Sequence, residues 1–190
     1  MKGGCPASAD PARLGALTLE PLQNPPDPGD FSRLCALLSA CVRSGASIGF
    51  VEPLAPGDVE AYWRRACGEA AAGGRLILVA RERADGAIAG SAQLLLETRA
   101  NGRHRAEVQK VMVFPELRRR GIAAALMSAL ESAARERGVS LLFLDTSEGR
   151  GGAAAFYAAL GYHYAGGIPG YALEPDGTPA KNAIYYKALN

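Results

Sequence analysis

The sequence predicts a mixed α/β fold: one central, mostly antiparallel sheet with helices on its faces. Two features carry that expectation. Three strand-like runs, residues 76–81, 88–97 and 106–113, follow one another across the turn dipeptides Asp85-Gly86 and Asn101-Gly102, as an antiparallel meander does. Helical periodicity brackets the meander on both sides, and shorter strand signals return after it. The resulting order, β-α-α-β-β-β-α-β-α-β-β, is not the regular alternation of a doubly wound sheet. No repeat or second domain boundary interrupts it. Residues 17–190 are therefore expected to form one domain behind a loose tail, residues 1–16, rich in Gly, Ala and Pro.

Each element has its own signal. Residues 17–22 form a short strand, and the proline-rich turn 24–29 follows. Asp30 stands where an N-cap would, ahead of Phe31, Leu34, Cys35, Leu38, Cys41 and Val42 at helical spacing, and Gly45 closes the run. A loop at 47–56 carries Ile48, Phe50, Val51 and Leu54. Asp58 is expected to cap a second helix, with Val59, Tyr62, Trp63, Ala66, Cys67 and Ala70 on one side and Gly73-Gly74 stopping it. After the meander, Ile122, Leu126, Leu130 and Ala133 or Ala134 mark a long helix through Arg137, ended by Gly138. Residues 141–144 are a short, wholly apolar strand. The glycine-rich loop 149–152 opens a short helix with Ala153, Phe156, Tyr157 and Leu160 on one face, ended by Gly161. The remainder has strand signals at both ends and, between them, a long loop with Pro169-Gly170 and Asp176-Gly177 turns.

Composition narrows the function classes. Among 190 residues, 21 basic and 19 acidic side chains leave a net charge of +2, which gives no drive toward nucleic acid or an anionic membrane. Residues 99–120 hold seven Lys or Arg against two Glu, but no aromatic stacking platform accompanies them. No run reaches the roughly 18 apolar residues of a membrane span. Residues 1–16 have one lysine and no continuous apolar segment, unlike a secretory signal. Cys5, Cys35, Cys41 and Cys67 form no CxxC pair, so reduced thiols and a cytoplasmic setting are expected. His104 and His163 stand far apart, which supplies neither a histidine metal site nor a Ser-His-Asp triad. No metal is expected.

The most informative stretch is Val111-Met-Val-Phe-Pro-Glu-Leu-Arg-Arg-Arg-Gly-Ile-Ala-Ala-Ala-Leu126. A strand ends, the chain turns, and a helix begins near Gly121. A helix start presents unpaired N–H groups and the positive end of its dipole, where acids are favoured. This chain places Arg118, Arg119 and Arg120 there instead. Three cations at a positive end repel one another unless solvated or met by an anion, and Glu116 offsets only part of that. Gly121 and Ala123 keep the backbone bare enough for close approach. The inference is a phosphate-binding helix start. It lacks the Gly-Lys-Ser/Thr of a Walker A loop and the GxGxxG of a dinucleotide site.

What it matches is R-x-x-G-x-G/A, as Arg118-Arg-Arg-Gly121-Ile-Ala123. With its strand and turn proline, this segment resembles the coenzyme A motif of the GNAT superfamily of N-acetyltransferases. A second half of the pattern follows at the expected separation: Leu141-Leu-Phe-Leu144, then Tyr157-Ala-Ala-Leu-Gly161-Tyr162. The resemblance covers residues 75–189 well and the N-terminal third in outline. It implies the acyl-CoA N-acyltransferase fold, whose sheet splays into a V, and acetyl-CoA as co-substrate. It implies that Val111, Met112 and Val113 pair with the pantetheine arm, and that the loop and helix start at Arg118, Arg119, Arg120, Gly121, Ile122, Ala123 and Ala124 hold the pyrophosphate. The family often has an Asn seven residues before the tyrosine. Arg150 stands there in this chain, either reaching a phosphate or the pantetheine, or solvated. Leu144-Asp-Thr146, Ile168-Pro-Gly-Tyr-Ala-Leu-Glu-Pro-Asp-Gly177 and Ile184-Tyr-Tyr-Lys187 are similar to the branch that includes the tabtoxin resistance acetyltransferase.

Acetyl transfer to an amine needs a deprotonated nucleophile, a polarised carbonyl and a proton for the leaving thiolate. By the resemblance, Tyr157 is the general acid and the Val113 N–H polarises the carbonyl. Glu107, with Gln109 on the same side of its strand, and Asp145, at the end of the next strand, are equal candidates for the base, ahead of Glu148. Residues 48–54 and 166–182 are expected to set specificity, with Phe50, Tyr162 and Tyr171 as aromatic surface and Glu52, Glu174 and Asp176 as acids that could attract a cationic amine. The lead acceptor is a small amine, amino-acid-like or an antibiotic. A protein N-terminus or lysine, and a non-catalytic CoA sensor, are the alternatives. A homodimer is expected from the family.

Overall fold

The computed structural model describes residues 15–147, 152–174 and 176–189. The chain runs β1 (Leu17–Pro21), α1 (Pro28–Arg43), α2 (Asp58–Ala71), β2 (Arg75–Glu82), β3 (Ile88–Leu96), β4 (Arg105–Val113), a 3-10 turn (Pro115–Leu117), α3 (Ile122–Glu136), β5 (Leu141–Ser147), α4 (Ala153–Ala159), β6 (His163–Gly166), β7 (Ala172–Leu173), β8 (Pro179–Ala180) and β9 (Asn182–Ala188). Seven strands form one sheet in the order β1-β2-β3-β4-β5-β9-β6. All neighbours are antiparallel except β4 and β5. The expected mixed, mostly antiparallel sheet is what forms.

Alternation along the strands divides the sheet's two faces between two cores. Leu76, Leu78 and Ala80 of β2 join Leu126, Met127 and Leu130 of α3, while Ile77 and Val79 join Leu34, Leu38 and Trp63 of α1 and α2. The helices on both faces thus bury the apolar stripe their sequences carry. Trp63 is wholly buried and donates its indole N–H to the Leu34 carbonyl at 3.0 Å, which locks α2 onto α1.

Several sequence expectations need correction. Asp27, not Asp30, caps α1: its carboxylate accepts the Asp30 amide at 2.8 Å, and Pro28 occupies the first helical position, which its fixed φ suits. Asp30 instead receives Arg81 of β2, Nη1 to Oδ1 at 2.7 Å. Gly57, in the left-handed region at φ 85°, precedes α2, so Asp58 is inside the helix and complements its dipole. β5 extends past Leu144 to Ser147, so Asp145 lies within the strand, paired to Ile184, rather than at its end. The long loop contains the β7–β8 hairpin, too short to leave a periodic signal. Tyr162 is core, not acceptor-facing surface.

Gly90 shows how tightly the region behind the site is built. A Cβ there would lie 2.6 Å from the Met112 carbonyl oxygen and 3.2 Å from Val113 Cγ2. Gly90→Ala is expected to lower stability by about 1–3 kcal/mol. Gly68→Ala, in α2 with open space at its Cβ, should raise it by about 0.5–1 kcal/mol. Thermal unfolding of the two variants checks the pair; a neutral Gly90→Ala would contradict the packing.

Candidate active site

β4 and β5 pair for three residues only: Arg105 with Leu141, Ala106 with Leu142, Glu107 with Phe143. Beyond Glu107 they part. β5 remains paired to β9 through Ser147, and β4 remains paired to β3 through Val113. A V opens between them, and one edge of β4 from Val108 to Val113 faces it. Such an edge offers main-chain donors and acceptors to an extended ligand. The Phe114 amide reaches Ala89 of β3 at 3.1 Å. Amides alternate along an antiparallel strand, so that of Val113 turns to the open side.

At the end of β4 the chain passes Pro115–Leu117 and reaches the helix start. Arg119 takes φ 63° and Gly121 φ 82°, a left-handed pair of bends that brings the loop round onto the axis of α3. The Ala125 amide bonds to the Gly121 carbonyl at 3.0 Å. The amides of Ile122, Ala123 and Ala124 precede it in the first turn, where α-helical geometry supplies no acceptor. No side chain caps this end. Arg118 donates from Nη2 to Ser44 Oγ at 2.7 Å, and Arg120 from Nη2 to the Glu116 carbonyl at 3.4 Å. The Ile122 and Met112 side chains are buried, so only the backbone of these two can serve a ligand. The arrangement is a bare, electropositive cradle continuing the open edge of β4.

Glu107 and Asp145 stand where the V opens, and Tyr157 lies near enough to Asp145 to feel its charge. Glu107 is the last β4 residue in the parallel pairing, and Asp145 lies two residues beyond its partner Phe143. Val108 and Leu144 point into the α3 core, so both carboxylates face the α1–α2 side. Tyr157 comes from α4, its ring set by Phe156, Tyr162 and Tyr185 at centroid distances of 5.1, 5.8 and 5.7 Å. Burial pushes the Tyr157 hydroxyl up to about 12, and the Asp145 charge adds to the shift. A phenol so placed keeps its proton at neutral pH. Burial also raises the thiols of Cys35, Cys41 and Cys67, so none is an activated nucleophile. Glu148 and Arg150 lie outside the described residues.

Lys110 was not legible as a site residue. The β3–β4 register shifts from Ser91–Met112 to Gln93–Gln109, and Lys110, at φ 50°, sits in the bulge. A bulge keeps two successive side chains on one face. Gln109 accepts Arg75 Nη1 at 2.9 Å, and the Lys110 ammonium stands 5.3 Å from the Tyr62 ring centroid. Among the described residues, no group of His, Cys, Asp and Glu is arranged to hold a metal ion, and no helix is long and apolar enough to cross a membrane.

The model of the acetyltransferase (GNAT) family matches residues 40–162, most of the chain. The chain belongs to the GNAT family. It is an N-acetyltransferase by that membership. An uncharacterized N-acetyltransferase from the hisH-hisA intergenic region of Azospirillum brasilense is 37% identical over 122 residues, 63% of this chain and 70% of that protein. Among solved structures, the ribosomal-protein-alanine N-acetyltransferase of Brucella melitensis superposes with a TM-score of 0.75 at 22% identity, covering 90% of this chain and 99% of its own. The phosphinothricin acetyltransferase of Sinorhizobium meliloti, solved with acetyl-CoA, gives 0.76 at 21%, covering 92% and 89%. The splayed sheet and helix start of this GNAT enzyme therefore sit in a fold shared by acetyltransferases named for different acceptors.

Proposed function

We propose that the protein transfers the acetyl group of acetyl-CoA to the amine of a small molecule by direct attack in a ternary complex. The observation that carries this is the continuity of the open β4 edge with the uncapped start of α3. Val111, Met112 and Val113 would hold the pantetheine arm by main-chain bonds, and residues from Arg118 to Ala124 the pyrophosphate. Bound there, acetyl-CoA supplies the thioester. The Val113 amide, turned to the open side, polarises the carbonyl oxygen. Glu107 or Asp145 takes a proton from the acceptor amine, whose nitrogen forms the new C–N bond. Tyr157 gives its proton to the sulfur as the C–S bond breaks.

A small acceptor is favoured by what covers the α1–α2 side. Phe50, from the loop after α1, packs edge-on against Tyr62 at 5.7 Å, and Gly49 lies against the Lys110 ammonium. That roof covers part of this side of the V, which suits a small acceptor better than an extended peptide. The two neighbours, one named for a ribosomal-protein alanine and one for phosphinothricin, share the fold equally, so the choice of acceptor rests on the site.

The test is calorimetric binding of acetyl-CoA, with CoA release followed across a panel of small amines and an N-terminal peptide. Binding with turnover of a small amine is expected. No binding, or turnover of the peptide alone, would overturn the reading. Of Glu107→Gln and Asp145→Asn, the one that removes the base should lower kcat by roughly 100-fold without weakening acetyl-CoA binding. If the two carboxylates serve one proton path, the double variant should be little worse than the poorer single one.

A further inference from the structure

The charged side chains around the V are unevenly paired. Arg75 is neutralised: Nη2 lies 2.7 Å from Glu69 Oε2, and Nη1 donates to Gln93 and Gln109. Lys110 and Arg65 are not. Both stand over the Tyr62 ring, at 5.3 and 5.8 Å from its centroid, and among the described residues neither has a carboxylate within ion-pair distance. Glu107 and Asp145 likewise have no ion pair among the described residues. Two cations and two carboxylates thus border the same side of the V without direct ion pairs, Arg65 and Asp145 exposed and Lys110 and Glu107 half-buried.

Their placement is held, not incidental. The bulge at φ 50° costs strain for a lysine and puts it beside Gln109, which Arg75 fixes in turn. Strict alternation would send Lys110 into the apolar α3 core with Val108. The Tyr62 hydroxyl donates to Gln93 at 2.8 Å, so the ring beneath both cations is anchored in the same network. Burial, with Arg75 and Arg65 adding to it, lowers the Lys110 pKa, while Glu107 and Asp145 oppose the shift. An anion arriving beside Lys110 would relieve that repulsion.

We propose that the acceptor amine also carries a carboxylate, as a free amino acid does, and that Lys110 and Arg65 bind that carboxylate while Glu107 and Asp145 face the amine. This rests on the small-amine reading above. A ligand with both charges meets the cations with its carboxylate and presents its nitrogen to the base. A neutral-ended amine offers the two cations no such partner. Lys110 and Arg65 are then specificity determinants that need not touch the reacting atoms.

The experiment uses the full chain with acetyl-CoA and matched sets of free amino acids, their amides and the corresponding decarboxylated amines. CoA release should favour the acids by at least tenfold in kcat/KM. Lys110→Met should raise KM for the acid by roughly tenfold or more and change KM for the amide by no more than about twofold, and Lys110→Gln should behave alike. Arg65→Ala, at an exposed site that does not endanger folding, should raise it by a smaller factor. In parallel, saturation-transfer NMR on the CoA-bound protein reads N-acetyl amino acids against N-acetyl amino-acid amides, with no turnover required. Acids alone should bind, and Lys110→Met should lose the signal. Equal use of amides, or no preference for acids in the NMR experiment, overturns the proposal. Failure of acetyl-CoA to bind would instead overturn the function on which it rests.

Discussion

Gly121→Glu should remove acetyl-CoA binding and leave the fold standing. Two effects act together. Gly121 has φ 82°, a conformation that costs an L-residue about 1–2 kcal/mol. That strain is a stability term, small enough for the domain to survive. The second effect is electrostatic. The new carboxylate would stand at the start of α3, where the bare amides of Ile122, Ala123 and Ala124 await an anion, and it would both cap them and repel a phosphate. Two unit charges about 4 Å apart near a protein surface interact by about 4 kcal/mol. Discounted for solvent and for flexing of the side chain, a loss of roughly 100-fold or more in affinity is expected, since about 1.4 kcal/mol is tenfold. Gly121→Ala isolates the strain and should weaken binding far less. Calorimetry gives the affinities, and thermal unfolding shows that each variant is folded. Unchanged affinity in Gly121→Glu would mean that the pyrophosphate does not rest on this helix.

The contrast between Gly121 and Lys110 explains what the sequence could disclose. A phosphate cradle is local: strand, turn, glycine and helix start lie within sixteen residues, and their chemistry is written in consecutive letters. The meander was equally plain, because Asp85-Gly86 and Asn101-Gly102 fix its turns. The V is a different kind of feature. It depends on β5 leaving β4 after Phe143 to follow β9, a pairing between segments some forty residues apart that no local pattern specifies. The bulge left one trace. Under strict alternation Val108, Lys110 and Met112 would share a face, which puts a lysine in an apolar row. The structure resolves the conflict by placing Val108 in the α3 core and Met112 in the α1–α2 core, with the register shift between them. Asp27 was missed as a cap for a simpler reason: Asp30 had the same chemistry, and only Pro28 at the first helical position distinguishes them.

Tyr157→Phe tests the chemical step itself. The ring should stay where it is, because Phe156, Tyr162 and Tyr185 hold it by aromatic contacts that phenylalanine repeats. Stability and acetyl-CoA affinity are therefore expected to be nearly unchanged, while kcat falls by roughly 100- to 1,000-fold for want of a proton donor to sulfur. The pH dependence separates this from a packing defect. With the hydroxyl pushed up to about 12, the acid form is present at every lower pH and is lost only as pH rises through that value. Wild-type kcat should then rise as the acceptor amine deprotonates and show no decline owed to Tyr157 between about pH 6 and about pH 10. The ratio of wild-type to variant kcat should stay flat across that window, since the acid is fully protonated throughout it. A wild-type alkaline decline near about pH 8–9 that vanishes in Tyr157→Phe would show a phenol that ionises far too easily for this buried site. A variant with normal kcat would move the proton donor to another group or to water. A variant that loses acetyl-CoA binding as well would place Tyr157 in the cofactor's packing instead of at its sulfur.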